Sequence, residues 1–188
     1  MIPDWVAAAS VAALVLVLLA FYTSWRASRL DGLHTRLETA RSALDTALAR
    51  RHTVVGELAA LPGLDPASQL LLAEAVAKAR RSAASADRNR MELAESALSR
   101  TLRAVLDDAG VRPVAVDDRA VFDEVAAEAR RTLFARRFYN DAVAATRHAR
   151  SRRLVRWLRL AGGAPSPEFF EIDDEPPAMS DRASPGSE

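Results

Sequence analysis

The sequence predicts an all-α protein: one amino-terminal transmembrane helix, a long antiparallel three-helix bundle and a disordered acidic tail. Three observations predict this architecture. They are an uncharged apolar run over residues 5–25, three long stretches without proline, and a carboxy-terminal segment rich in proline and acid. The composition agrees, since the 188 residues include 39 Ala and 25 Arg but only 7 Gly and 6% aromatic residues. Alanine and arginine favour helices, whereas a sandwich or barrel would need more β-branched and aromatic residues.

The apolar run over residues 5–25 has the length of a membrane-spanning helix. As a helix it would extend about 32 Å, and the hydrocarbon core of a bilayer is about 30 Å thick. Aromatic residues flank it at both ends, and the nearby arginines all follow it. The positive-inside rule therefore predicts an outside amino terminus and a cytoplasmic remainder, single-pass in a bacterial inner membrane. We expect residues 1–25 to be the anchor and a lipid bilayer to be a partner through residues 5–25. A cleaved signal peptide is the alternative, but no basic region precedes the run.

Prolines divide the rest of the chain into three stretches, each predicted to be one helix. The first, over about 26–61, has apolar residues three and four apart and ends before a Pro-Gly pair. The second, over 66–109, begins with an acid followed by proline, the usual order of N-cap and first helical residue. The third covers 118–161 and ends before two glycines. Helices of similar length with short connections pack antiparallel, so residues 26–164 are predicted to form one bundle.

Charge is segregated near the end of the chain. Residues 130–159 carry ten Arg and one acid, a net charge of +9, whereas residues 165–188 carry seven acids and one Arg, a net charge of −6. The second block also contains five prolines, so it is predicted to be disordered. We expect its few apolar residues to dock weakly on the basic end of the third helix, with its acids near the arginines there.

The basic end of the third helix is a candidate binding surface. Its pattern of arginines around one tryptophan occurs both in membrane-surface helices and in nucleic-acid patches. A solvated helix face is equally compatible with the pattern. The candidate residues are Arg152, Arg153, Arg156, Trp157 and Arg159.

Nothing in the sequence indicates catalysis, a cofactor or a metal. The chain has no Cys, which excludes thiolate sites. None of its three His has a glutamate three residues before it, as the metal-binding motif of di-iron bundles requires. Neither a phosphate-binding glycine loop nor a nucleophile elbow is present. We therefore predict that the protein is not an enzyme.

Two short stretches resemble the LemA family: Arg50-Arg51-His52 in the first predicted helix and Tyr139-Asn140-Asp141-Ala142-Val143 in the third. The aromatic pair Phe169-Phe170 is similar to one near the end of that family. The resemblance covers about residues 5–172 and implies an all-helical, membrane-anchored protein with its bulk in the cytoplasm and no established enzymatic activity. Residues 53–56 depart from the family's usual Asp-Leu-Ile-Pro, which indicates a divergent branch. The excess of Arg over Lys is typical of a GC-rich bacterial genome.

The matched residues are candidates for fixing helix register or for interaction: Arg50, Arg51, His52, Tyr139 and Asn140. Arg51 or His52 falls near the seam between apolar positions of the first helix. Polar residues in such a seam commonly fix register and partner choice. We expect this structural role in preference to a binding site.

The sequence thus predicts a membrane-anchored helical bundle with a cytoplasmic interaction or scaffold role. Its partner would be an unknown protein or a second copy of the chain. Two alternatives stay open: a basic helical surface that binds nucleic acid or anionic lipid, and a non-catalytic subunit of an enzyme complex. Nucleic acid is the less favoured partner.

Overall fold

The computed structural model describes residues 4–85, 87–107, 116–151 and 166–177. These residues contain four α-helices: α1 (Asp4–Ala59), α2 (Pro66–Ala83), α3 (Arg88–Leu106) and α4 (Val116–Ser151). After them, residues 166–177 form an irregular segment without helix or strand. The regular structure of the described residues is all-helical, as the composition indicates.

The chain divides into two compact units. The first contains residues 1–39 and 142–168, and the second contains residues 40–141 and 169–188. In the first unit, Arg147 Nε donates a hydrogen bond to the Pro167 carbonyl oxygen over 2.7 Å. The second unit contains the hydrophobic core.

The core of the second unit draws side chains from all four helices. Five of its members are almost completely shielded from solvent: Val55, Leu58, Leu72, Leu98 and Val125. Each such burial contributes about 1.5–3 kcal/mol relative to an exposed side chain. The prediction of a helical bundle is therefore confirmed, although four helices form it and not three.

The predicted second helix, over 66–109, is in fact two helices. α2 begins as predicted, since the Asp65 carboxylate accepts the backbone N–H groups of Ala67 and Ser68, both over 3.0 Å. It ends at Ala83, and Asp87 then caps α3 by accepting the Arg90 N–H over 3.1 Å. The two helices pack against each other as a hairpin. An aspartate that can satisfy free backbone N–H groups permits a new helix to begin without any proline in the turn.

The break between α2 and α3 also changes which face of the chain is buried. A continuous helix places Leu93 in the inner stripe, whereas in the structure the Leu93 side chain is 62% exposed and Leu98 is fully buried. The turn resets the helical phase, so a stripe extrapolated across it points to the wrong face. The inner stripe predicted for α1 does not cross a break, and its members Leu44, Leu48 and Val55 are buried.

The predicted transmembrane anchor is wrong. Within the described residues, no helix has both the length and the apolar character needed to cross a membrane. Residues 4–25 begin a single helix of 56 residues that continues through charged positions, so they do not form a separate apolar element. The predicted localisation, single-pass in an inner membrane, is corrected by the same finding. The lipid partner expected at residues 5–25 loses its basis.

The predicted disorder of the tail is corrected for residues 166–177. Phe170 and Ile172 in this segment are buried, with exposed fractions of 1% and 9%. Composition predicted disorder because it counts charges and prolines without knowing whether they have partners. The rest of the tail, residues 178–188, lies outside the described residues, as do residues 152–161 of the predicted third helix.

The shifted phase of α3 gives a test of the core. Leu98→Ala should lower the free energy of unfolding by about 2–5 kcal/mol, because it leaves a cavity among side chains from several helices. The matched control Leu93→Ala, on the exposed face of the same helix, should change it by no more than about 0.5 kcal/mol. Chemical denaturation followed by circular dichroism measures both. Equal losses would contradict the assigned faces.

Candidate functional site

A buried cluster of charged groups connects α1 to α3. Arg51 and Glu95 form an ion pair, and His52 Nε2 lies 2.6 Å from the other carboxylate oxygen of Glu95. Arg51 also donates to Ser99 Oγ over 3.1 Å. The side chains of Arg51, His52 and Glu95 are 4%, 6% and 0% exposed. Both oxygens of one carboxylate are thus used by two consecutive residues of α1.

The pKa of Glu95 is lowered by its surroundings. Burial by itself acts to raise the pKa of this carboxyl group, because it disfavours the charged form. The hydrogen bond from His52 and the positive charge of Arg51 act in the opposite direction and outweigh burial. Glu95 is therefore an ionised carboxylate at neutral pH, in which state it accepts hydrogen bonds from both α1 side chains.

A cavity of about 410 Å³ lies next to this cluster. α1 contributes His52 and Arg41 to its lining, and α3 contributes Arg88. Arg88 also reaches Tyr139 of α4, whose hydroxyl lies 3.5 Å from Arg88 Nη2. Arg88 thus connects the cavity beside His52 with the Tyr-Asn stretch, two motifs that the sequence placed on separate helices.

A second site holds the irregular segment that follows α4. The Asn140 side-chain amide donates to the Phe170 carbonyl oxygen over 3.1 Å and accepts the Phe170 N–H over 2.9 Å. α3 continues the contact, because Glu92 Oε1 accepts the Glu171 N–H and Ser96 Oγ accepts the Asp173 N–H, both over 3.1 Å. Three side chains therefore hold the backbone of an extended peptide.

Two arginines hold the acidic side chains of the same segment. Arg103 binds both carboxylate oxygens of Asp173, over 2.8 and 2.5 Å, and donates to the Glu175 carbonyl oxygen. Arg136 binds both oxygens of Asp174. Such two-pronged pairs are specific in geometry as well as charge. The Arg103 guanidinium, by donating to the carboxylate, holds the pKa of Asp173 below its ordinary value.

The side chains of the segment alternate in exposure. Phe170 and Ile172 are buried, whereas Phe169 and Glu171 point to solvent. This alternation is what an extended chain produces, since successive side chains point in opposite directions. We call the residues that hold the segment the tail-binding site: Glu92, Ser96, Arg103, Arg136 and Asn140.

The structure uses some of the sequence-predicted candidates and leaves others aside. Arg51 and His52 bind Glu95, and Asn140 binds the backbone of Phe170, whereas Arg50 is exposed on α1. The basic candidates Arg152, Arg153, Arg156, Trp157 and Arg159 lie outside the described residues. The tail acids that we expected near those arginines instead bind Arg103 and Arg136.

Glu95 and the two tail-binding arginines were not found by sequence reasoning. Glu95 follows Arg51 by 44 residues, so no local spacing links them. One signal was available, because Glu95 lies on the same face of α3 as Leu98 and Leu102, and an acid within an apolar stripe requires a buried partner. Arg103 and Arg136 carry no such signal, since they are two among 25 arginines.

A scan against models of known protein families found no match to this sequence. A search of curated proteins likewise found no related protein. The resemblance to the LemA family stays a prediction from the stretches around His52 and Asn140.

The buried carboxylate gives a first test of the site. Glu95→Gln should lower the free energy of unfolding by about 3 kcal/mol at pH 7, because it leaves the Arg51 charge buried without a counter-charge. The control Glu74→Gln changes an exposed acid of α2 and should be nearly neutral. Thermal and chemical denaturation measure both variants. A Glu95→Gln variant as stable as wild type would reject the ion pair as a stabilising contact.

The lowered pKa of Glu95 gives a test in pH. A carboxyl group with a lowered folded-state pKa contributes its stability above its ordinary pKa, here 4.5, and loses it as the pH falls through the folded-state value. Wild-type stability should therefore fall more steeply below pH 4.5 than that of Glu95→Gln. Denaturation midpoints measured between pH 7 and pH 2 compare the two slopes. Parallel curves would mean that Glu95 is not the titrating group.

The Asn140 contact gives a test of the tail. Asn140→Leu removes two hydrogen bonds to Phe170, worth about 1 kcal/mol each, so the Phe170 amide should exchange with solvent at least about fivefold faster. Arg137→Leu, an exposed α4 position nearby, is the control and should leave that exchange rate unchanged. Hydrogen exchange followed by NMR reports on this amide directly. The same rate in both variants would show that Asn140 does not hold the segment.

Proposed function

We propose that this protein is an interaction module that binds an extended acidic segment of a partner protein at its tail-binding site. One observation carries the proposal: side chains of α3 and α4 hold both the backbone and two consecutive acids of residues 170–175. In the free chain, the protein's own tail occupies the site. A partner segment with the same chemistry would displace it.

The contacts divide into those that any extended peptide can make and those that select a sequence. Asn140, Glu92 and Ser96 bind backbone groups, which every residue carries. Selectivity would come from the side chains that are buried or paired, namely Phe170, Ile172 and the two aspartates. Peptide recognition by strand-like segments commonly divides affinity and specificity in this way. The recognised pattern would be aromatic, any residue, aliphatic, then two acids.

Displacement is feasible because the pairs that hold the tail are partly open to water. The Arg103 and Asp173 side chains are 20% and 33% exposed. Ion pairs that water reaches contribute about 0–1 kcal/mol each, and salt screens them. The tail competes at an effective concentration of roughly millimolar, because it belongs to the same chain. A partner therefore needs a better fit or a high local concentration.

The test uses a fluorescent peptide with the sequence of residues 168–177 and two forms of the full-length chain. In the Asp173→Asn/Asp174→Asn double variant the protein's own tail is held less firmly. The peptide should therefore bind this variant about tenfold more tightly than wild type, the gain expected when about 1.4 kcal/mol of competition is lost. Fluorescence anisotropy gives both affinities.

Two controls separate site binding from general attraction between charges. A peptide with asparagine at both acidic positions should bind the double variant weakly. Adding Arg103→Gln to the double variant should weaken binding of the acidic peptide. The proposal fails if the acid-free peptide binds equally well, or if neither chain binds the acidic peptide saturably.

A further inference from the structure

The cavity beside His52 is a separate feature from the tail-binding site. Its lining comes from α1, from the turn between α2 and α3, and from the start of α3. Its volume of about 410 Å³ falls in the range of about 300–1,000 Å³ that is typical of small-molecule sites. Neither the buried cluster nor the binding of the tail assigns it a role.

The charged groups that line the cavity have a positive excess. They are Arg41 and Asp45 of α1 and Arg88 of α3. Arg41 Nε lies 4.0 Å from Asp45, but these side chains are 68% and 59% exposed, so their mutual attraction is weak. Glu95, behind His52, is already paired with Arg51. Two guanidinium groups against one carboxylate favour an anion at the opening.

His52 adds a polar group whose position is fixed. Its Nε2 is occupied by Glu95, and its backbone carbonyl oxygen accepts Arg80 Nη2 over 3.0 Å. Since Glu95 is ionised, Nε2 carries the proton of this hydrogen bond. Nδ1 is then the ring nitrogen that Glu95 leaves to other contacts. A side chain held in this way loses little further freedom when it binds a ligand.

The remainder of the lining is apolar. It is made by Leu48, Ala49, Ala83 and Met91. Burial of an apolar group against these side chains contributes about 25 cal/mol per Å² of surface removed from water. Methionine adapts to ligands of different shape because its side chain is unbranched and flexible. The cavity thus offers charge at one kind of group and apolar contact at another.

We infer that this cavity binds a small amphiphilic anion. The anionic group, a carboxylate or a phosphate, contacts Arg41 and Arg88, and a short alkyl or aromatic portion packs against Leu48 and Met91. Guanidinium groups bind the oxygens of both kinds of anion in the same forked geometry. The inference does not depend on the tail-binding site.

The test is calorimetric titration of the full-length protein with hexyl phosphate, hexanoate and 1-hexanol. At least one of the two anions should bind saturably, and 1-hexanol at least about fivefold more weakly, because it lacks the charge that the arginines contact. Binding of hexyl phosphate alone assigns a phosphate ligand, and binding of hexanoate assigns a carboxylate. Either result supports the inference.

Variants then locate the binding. Arg41→Gln and Arg88→Gln should each weaken anion binding by about fivefold, as expected for a partly exposed charged contact. Arg50→Gln is the matched control, an exposed arginine of α1 outside the lining, and should weaken it by less than about twofold. Ala49→Leu keeps every charge but fills part of the cavity, so it should abolish binding. Ala49 is exposed, so the larger side chain leaves the core intact.

Three results would overturn the inference. Binding of 1-hexanol as tight as that of the anions would mean that the arginines play no part. Equal losses in Arg50→Gln and Arg41→Gln would mean that general surface charge attracts the anion. Unchanged binding in Ala49→Leu would place the anion outside the cavity. Thermal melting of each variant confirms that it is folded before the affinities are compared.

Discussion

The carboxylate of Glu95 has no contact with water, and the arrangement of α1 against α3 depends on satisfying it. Moving a charge into a protein interior costs several kcal/mol unless partners replace the lost water. Arg51 and His52 replace it, one on each oxygen, and Ser99 takes a further proton of Arg51. A shift of α3 by one residue would turn Glu95 away from both partners. The cluster therefore selects one register in a bundle whose many alanines would permit several.

The tail extends this logic from helix packing to an irregular segment. Without a helix or sheet of its own, the backbone of residues 170–175 takes hydrogen bonds from Asn140, Glu92 and Ser96. Backbone groups near a protein surface must find partners in protein or in water, and here side chains supply them. The buried Phe170 adds apolar contact, so the segment is ordered although its composition is that of a disordered tail.

Both candidate binding features share α3. Arg88 and Met91, in its first turn, line the cavity, while Ser96 and Arg103, further along, contact the tail. Glu95 lies between these groups and fixes the helix to α1. A short helix held at its centre by a buried ion pair presents polar side chains at both ends in defined positions, which is the property that a binding scaffold requires.

Sequence alone determined the helical composition, the start of α2 and the inner face of α1, because each depends on local signals: propensity, a capping aspartate, and apolar spacing such as that of Leu44 and Leu48. It missed the turn before Asp87, since a strong cap needs no proline or glycine to announce it. It also assigned the apolar residues near the amino terminus to a membrane, because composition does not distinguish a separate span from part of a 56-residue helix. Only the tertiary structure decided which arginines matter. The pairs of Arg51 with Glu95 and of Arg103 with Asp173 join residues 44 and 70 positions apart, and among 25 arginines nothing local distinguishes the paired from the solvated.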